Sequence, residues 1–261
     1  FTLSDGAATV AGTVACTGLT AVLMPGTSLA AGATYTATVT TAVQNLAGNP
    51  MAADHVWTFT TGSAPTLEQK MRGLWMIGGT ADLTGTSTIP EIDMYDPVTD
   101  TWYADVAAGA SGTYVPTAFN SALYINGKIY VIGGAVNSSA DTFAVEEYDI
   151  ATDTWTTRAN IQNSGVNTAL MASTAYTYAD NIYIMSGSTT TTTAGVVAYH
   201  LRFNPAAGVN GTWYNTPPAA YTTARSSMGS ACIGGITYYF GGRIAAGTGA
   251  TTNTAYTMAT N

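Results

Sequence analysis

Short apolar runs closed by small residues recur along much of the chain. The clearest is Lys128-Ile129-Tyr130-Val131-Ile132-Gly133-Gly134. In an extended backbone Ile129 and Val131 point to one face, and Tyr130 and Ile132 to the other. Both faces are apolar, so this strand must be covered on both sides. The phrase returns as Leu74-Trp75-Met76-Ile77-Gly78-Gly79, as Ile182-Tyr183-Ile184-Met185-Ser186-Gly187 and as Tyr238-Tyr239-Phe240-Gly241-Gly242. A second phrase follows the first three: Tyr95-Asp96-Pro97 to Trp102, Tyr148-Asp149-Ile150 to Trp155, and Phe203-Asn204-Pro205 to Trp213. Gly78, Gly133, Ser186 and Gly241 are spaced by 55, 53 and 55 residues. A period of roughly 50 residues points to propeller blades rather than helical solenoids.

A four-stranded blade between two neighbours covers both faces of the apolar strand. The glycine pair suits a sharp turn or a crowded backbone. Asp-Pro-Val-Thr-Asp at 96–100 and Asp-Ile-Ala-Thr-Asp at 149–153 read as turns between strands. The tryptophans are large enough to fill the wedge between blades, so Trp102, Trp155 and Trp213 are expected in equivalent buried positions. Over residues 72–261 these phrases resemble the kelch family of β-propellers, on the Gly-Gly, the following Tyr and the Trp after a Thr. The third copy departs from the pattern, with Ser186 for the first glycine and Phe203 for the tyrosine, and a different loop is expected over 186–194.

Residues 1–62 lack the blade phrase and alternate instead. Thr34 to Thr40 places Tyr35, Ala37 and Val39 on one face, and Val56 to Thr60 places Trp57 and Phe59 inward. A run from Ala8 to Val14 and another over Ala21-Val22-Leu23-Met24 complete a set of short strands with Gly, Pro and Asn turns, which argues for a sandwich. This stretch resembles bacterial immunoglobulin-like domains of surface and secreted proteins, with one strand expected before Thr2-Leu3. The expected fold is all-β: a partial Ig-like β-sandwich over 1–62, a linker over 63–71, and a kelch-type β-propeller segment over 72–261. That segment reads as three blades plus most of a fourth, incomplete at the C-terminus. Tyr256 to Asn261 aligns with Tyr148 to Asp153 and stops before the expected Thr-Trp, so both ends are expected to be cut from a longer protein.

Charge narrows the partners. Seven Lys and Arg stand against fifteen Asp and Glu, a formal charge of −8. Without a basic cluster the chain suits neither nucleic acid nor anionic membranes. No apolar run nears the roughly 20 residues of a membrane span, and residues 1–5 lack the basic start and apolar core of a signal peptide. The low Lys and abundant Thr fit an extracellular or cell-surface location.

Candidate chemistry is sparse. His55 and His200 fall in different expected domains, so they cannot form a two-His metal site within one domain. Some relatives in the resembled family are copper oxidases, whose site needs two His and two Tyr near the channel; this sequence does not supply them. Asp93 with Asp96, and Glu146 and Glu147 with Asp149, sit beside the third strand of their blades, where turn and edge roles outweigh acid–base chemistry. Cys16 and Cys232 have no CxxC spacing and read as two small buried apolar residues rather than a disulfide. Asn137-Ser138-Ser139 and Asn210-Gly211-Thr212 match the glycosylation acceptor pattern. No catalytic, metal or cofactor-binding residue is assigned, and no cofactor is expected. The balance falls on a non-catalytic protein for adhesion, scaffolding or assembly. Its partners would be other proteins or copies of itself, met at open strand edges. The alternative is a carbohydrate-binding or carbohydrate-active propeller whose site needs blades absent from this chain, with Tyr103, Tyr114, Tyr214 and Tyr221 as aromatics that could stack on sugars.

Overall fold

A computed structural model describes residues 1–18, 20–45, 47–81, 87–107, 110–136, 142–190, 195–215, 223–244, 249 and 254–257, the last four by backbone only. The chain divides into two compact units, Phe1–Thr66 and Leu67–Asn261.

The first unit holds β1 (Thr2–Ser4), β2 (Gly12–Thr17), β3 (Thr20–Pro25), β4 (Thr34–Val39) and β5 (His55–Thr60). β1, β4 and β5 form one antiparallel sheet, and β2 and β3 form a hairpin. The alternation in β4 works as expected: Tyr35 and Ala37 join Leu3 in a small buried core, with Val10, Leu23 and Leu29 packed on it. Trp57 and Phe59 lie opposite Ala37 and Tyr35 in the register. They share the core side, yet each remains partly exposed. A two-stranded hairpin is too narrow to cover a three-stranded sheet, and it leaves its own Val14, Val22 and Met24 exposed as well.

The second unit opens with a helix, α1 (Leu67–Arg72), where the sequence reads as polar linker and blade start. Four sheets follow. The first contains β6 (Leu74–Ile77), β7 (Ile92–Asp96) and β8 (Thr101–Tyr103). The second runs in order through β9 (Ser121–Ile125), β10 (Lys128–Ile132), β11 (Val145–Asp149) and β12 (Thr154–Thr157). A small hairpin, β13 (Gln162–Asn163) and β14 (Val166–Asn167), precedes the third sheet. That sheet is β15 (Thr174–Tyr178), β16 (Asn181–Met185), β17 (His200–Asn204) and β18 (Thr212–Asn215). The fourth is β19 (Gly229–Ile233), β20 (Ile236–Phe240) and β21 (Thr254–Thr257). All pairings within these sheets are antiparallel.

The doubly apolar strands explain how the sheets stack. Ile129 and Val131 pack with Trp75 and Ile77 of the first sheet. Tyr130 and Ile132 pack with Ile182, Ile184 and Phe203 of the third. Tyr183 and Met185, on the other face of β16, meet Met228 and Tyr239 at the fourth. The leading strands β9, β15 and β19 lie side by side. There small hydroxyls replace bulky side chains: Ser121 and Ser173 meet at 3.0 Å, and Thr174 donates to Ser230 at 2.6 Å.

Backbone bonds stitch one sheet to the next at repeating positions. At the first three of the glycine-pair turns the second residue donates forward, Gly79 to the Thr117 carbonyl, Gly134 to Leu170 and Gly187 to Arg225. A parallel chain runs from the Ala172 amide to the Phe119 carbonyl and from the Ser227 amide to the Ala172 carbonyl. Ser186 holds the left-handed conformation of the glycines it replaces, with φ of 56° against 63° at Gly133.

Candidate interaction surfaces

One aromatic pair is built three times. Tyr95 and Trp102 lie 5.1 Å apart between ring centres, Tyr148 and Trp155 5.0 Å, and Phe203 and Trp213 5.0 Å, with interplanar angles of 37°, 34° and 33°. In each case the two residues are direct cross-strand partners. The second and third pairs are covered by the preceding sheet. Tyr114 stacks on Trp155 at 4.5 Å, and the Trp213 indole donates to the Ala159 carbonyl. Trp155 and Trp213 are 7% and 8% exposed, whereas Trp102 is 60% exposed. The expectation of three equally buried tryptophans therefore fails at Trp102. Its geometry is equivalent, but no described residues cover that face. Leu74 and Met76, on the same side of β6, are bare as well.

The carboxylates serve the fold. Asp96 is fully buried and accepts from Arg72, Gln69, Thr99 and the Val98 amide. The Arg72 guanidinium above all holds its carboxyl far below the usual range. Asp149 caps the equivalent turn through the Ala151 and Thr152 amides, and Asn204 does so through the Ala206 amide. Asp93 accepts from the Asp105 amide at 2.9 Å. Glu146 and Glu147 are neighbours in β11 and so point to opposite faces of the sheet. Glu147 pairs with Lys128 and, at 3.1 Å, with Arg158. Glu146 enters the contact between the first and second sheets and accepts from the Val115 amide at 3.2 Å. Burial pushes its carboxyl up to about 7. Burial, helped by the Glu146 charge, pushes the Tyr114 phenol up to about 12.

The other singled-out residues do not converge. His55 is exposed beside Trp57 in the first unit. His200 is buried in the second, with Nε2 2.9 Å from the Tyr176 hydroxyl. Cys16 and Cys232 are both free thiols. Cys232 packs against the Tyr176 cluster, but the expected burial fails at Cys16, which lies exposed in β2 because that strand of the hairpin is uncovered. The Tyr103 hydroxyl accepts from Gln69, and the Tyr214 ring lies 4.4 Å from the Arg202 guanidinium. Tyr221 and Asn137-Ser138-Ser139 lie outside the described residues. Asn210 is exposed, and its carbonyl accepts from the Ala159 amide. What sequence reasoning missed is α1. Its Lys70 reaches Tyr148 and Asp153 of the second sheet while Arg72 grips the first, and no local periodicity signals either contact.

Residues 1–61 match the family model described as a bacterial Ig-like domain. Residues 116–161, which include the whole second sheet, match the kelch motif. An Ig-like domain precedes a kelch motif. No curated protein matches the chain. Kelch domains generally mediate protein–protein contacts, and bacterial Ig-like domains are often extracellular. Among the described residues no helix is long and apolar enough to cross a membrane.

Proposed function

We propose that this is a non-catalytic bacterial protein of the cell surface or extracellular space, which scaffolds or adheres through its sheet surfaces. The observation that carries the reading is the exposed Trp102, paired with half-buried Tyr95, together with bare Leu74 and Met76. Its equivalents on the next two sheets are buried against protein, so its chemistry suits an apolar protein surface. Contiguous exposed apolar patches of this kind mark interaction sites. The exposed Trp57 and Phe59 extend the argument to the Ig-like unit. The carboxylates named above are engaged in turns and sheet contacts rather than presented to a cleft.

The test is binding of the purified chain to intact bacterial cells and to their envelope proteins. Saturable binding that disappears when the cells are treated with protease supports the reading. Binding that survives protease but is lost on glycan removal, with a specific hit on a glycan array, replaces it with the carbohydrate-binding alternative.

A further inference from the structure

The second unit carries a plug and a matching socket. The plug is the face of the first sheet formed by Leu74, Met76, Tyr95 and Trp102. In register with the repeat, these correspond to Ile182, Ile184, Phe203 and Trp213 of the third sheet, all buried against the second. The socket that receives the third sheet is Ile125, Tyr130 and Ile132, with Leu123 beside them. On the fourth sheet the corresponding positions are Ile233, Tyr238, Phe240 and Ala231. Tyr239 of that sheet, with Met228 just before it, faces inward to the third sheet. The alternate positions on β20 therefore face outward, and Phe240 and Ile233 are 48% and 67% exposed.

The backbone ladder is open at the fourth sheet as well. The chain of bonds from Ala172 to Phe119 and from Ser227 to Ala172 links successive sheets. At its two limits, the Phe119 amide and the Ser227 carbonyl have no such partner among the described residues. One more step of the same kind would carry the ladder from Ser227 to whichever sheet follows the fourth.

We propose that the outward face of the fourth sheet in one copy receives the Trp102 face of the first sheet in a second copy, reproducing the contact between the second and third sheets. This names the partner within the scaffolding function proposed above and rests on it. The contact joins two different surfaces, so it propagates head to tail unless the rotation closes. Two copies bring eight sheets together, within the range of about four to eight blades in closed propellers.

Sedimentation of the 261-residue chain tests this with two variants, Trp102→Glu and Phe240→Glu. The unsubstituted chain is expected to associate at tens of micromolar concentration, on the scale of weak specific contacts. Each variant alone is expected to remain a single chain, because each has lost one half of the contact. Mixed together they are expected to associate again, because one intact plug still meets one intact socket. Unfolded variants cannot complement each other in this way, and near-UV circular dichroism of each checks its fold. A chain that sediments singly at all concentrations overturns the proposal, as does association indifferent to both substitutions or a mixture that stays apart. Retained binding to cell envelopes in those cases leaves the scaffolding reading standing and removes only the second copy as partner.

Discussion

Trp102 and Trp155 share a strand position, an aromatic partner and nearly the same ring geometry, yet one is bare and the other buried. The difference lies in the neighbours. Trp155 has the first sheet and the Tyr114 segment over it; among the described residues nothing takes that place over Trp102. Local sequence builds the aromatic pair, and the next sheet decides whether it contributes to stability or to binding.

That contrast predicts its own largest effect. Trp155→Ala and Trp213→Ala should each destabilise the second unit by about 3–5 kcal/mol, as large-to-small core changes do. Trp102→Ala should cost below about 1 kcal/mol in the unassociated chain, as surface changes do. Urea unfolding of the second unit, followed by near-UV circular dichroism, measures all three. Equal losses at the three positions would break the distinction between covered and bare faces.

The covered face has a second signature, in pH. Glu146 is buried where the first and second sheets meet, with its pKa raised from an ordinary 4.5 to about 7. The folded state thus holds a proton that the unfolded chain has released. Stability from this group is present below about pH 4.5, falls as pH rises between that value and about 7, and is then level. Relative to Glu146→Gln, the protein should lose on the order of 2–3 kcal/mol across that window. Parallel stability curves for the two proteins would show that the carboxyl is solvated and the contact looser than described.

The smallest effect concerns the third sheet against the second. Ser186 is buried in the left-handed conformation that Gly133 adopts in the second sheet. Its hydroxyl lacks a hydrogen-bond partner among the described residues. Ser186→Gly relieves backbone strain and a buried polar group but adds flexibility to the unfolded chain. A net gain of about 0.5–1 kcal/mol is expected from these opposing effects. Thermal unfolding that shows a loss instead would mean that the serine makes a contact its glycine counterparts lack.

The stacking of the second unit was legible because it is written in periodicity. Ile129 and Val131 against Tyr130 and Ile132 announce a strand covered on two sides, and the structure places a sheet on each. The turn roles of Asp96 and Asp149 were legible for the same reason, since turn chemistry is local. The exposure of Trp102 was not, because it depends on a neighbour rather than on nearby residues. Nor was the raised pKa of Glu146, which needs the folded 114–115 segment above it. α1 escaped notice because one and a half helical turns are too short to show a period or to be stable alone. Distant side chains on two sheets hold it instead.

That tethering has a mechanical consequence. A pull on residues 1–66 enters the second unit through α1. There Arg72 transfers force to Asp96 in the first sheet, and Lys70 transfers it to Tyr148 and Asp153 in the second. The helix cannot resist alone, so these polar ties bear the strain before β6 begins to peel. Once they rupture, six residues pass from helical to extended spacing and release about 12 Å of slack. α1 is thus the first element of the second unit in line with such a pull, held by side chains of two sheets rather than by its own length.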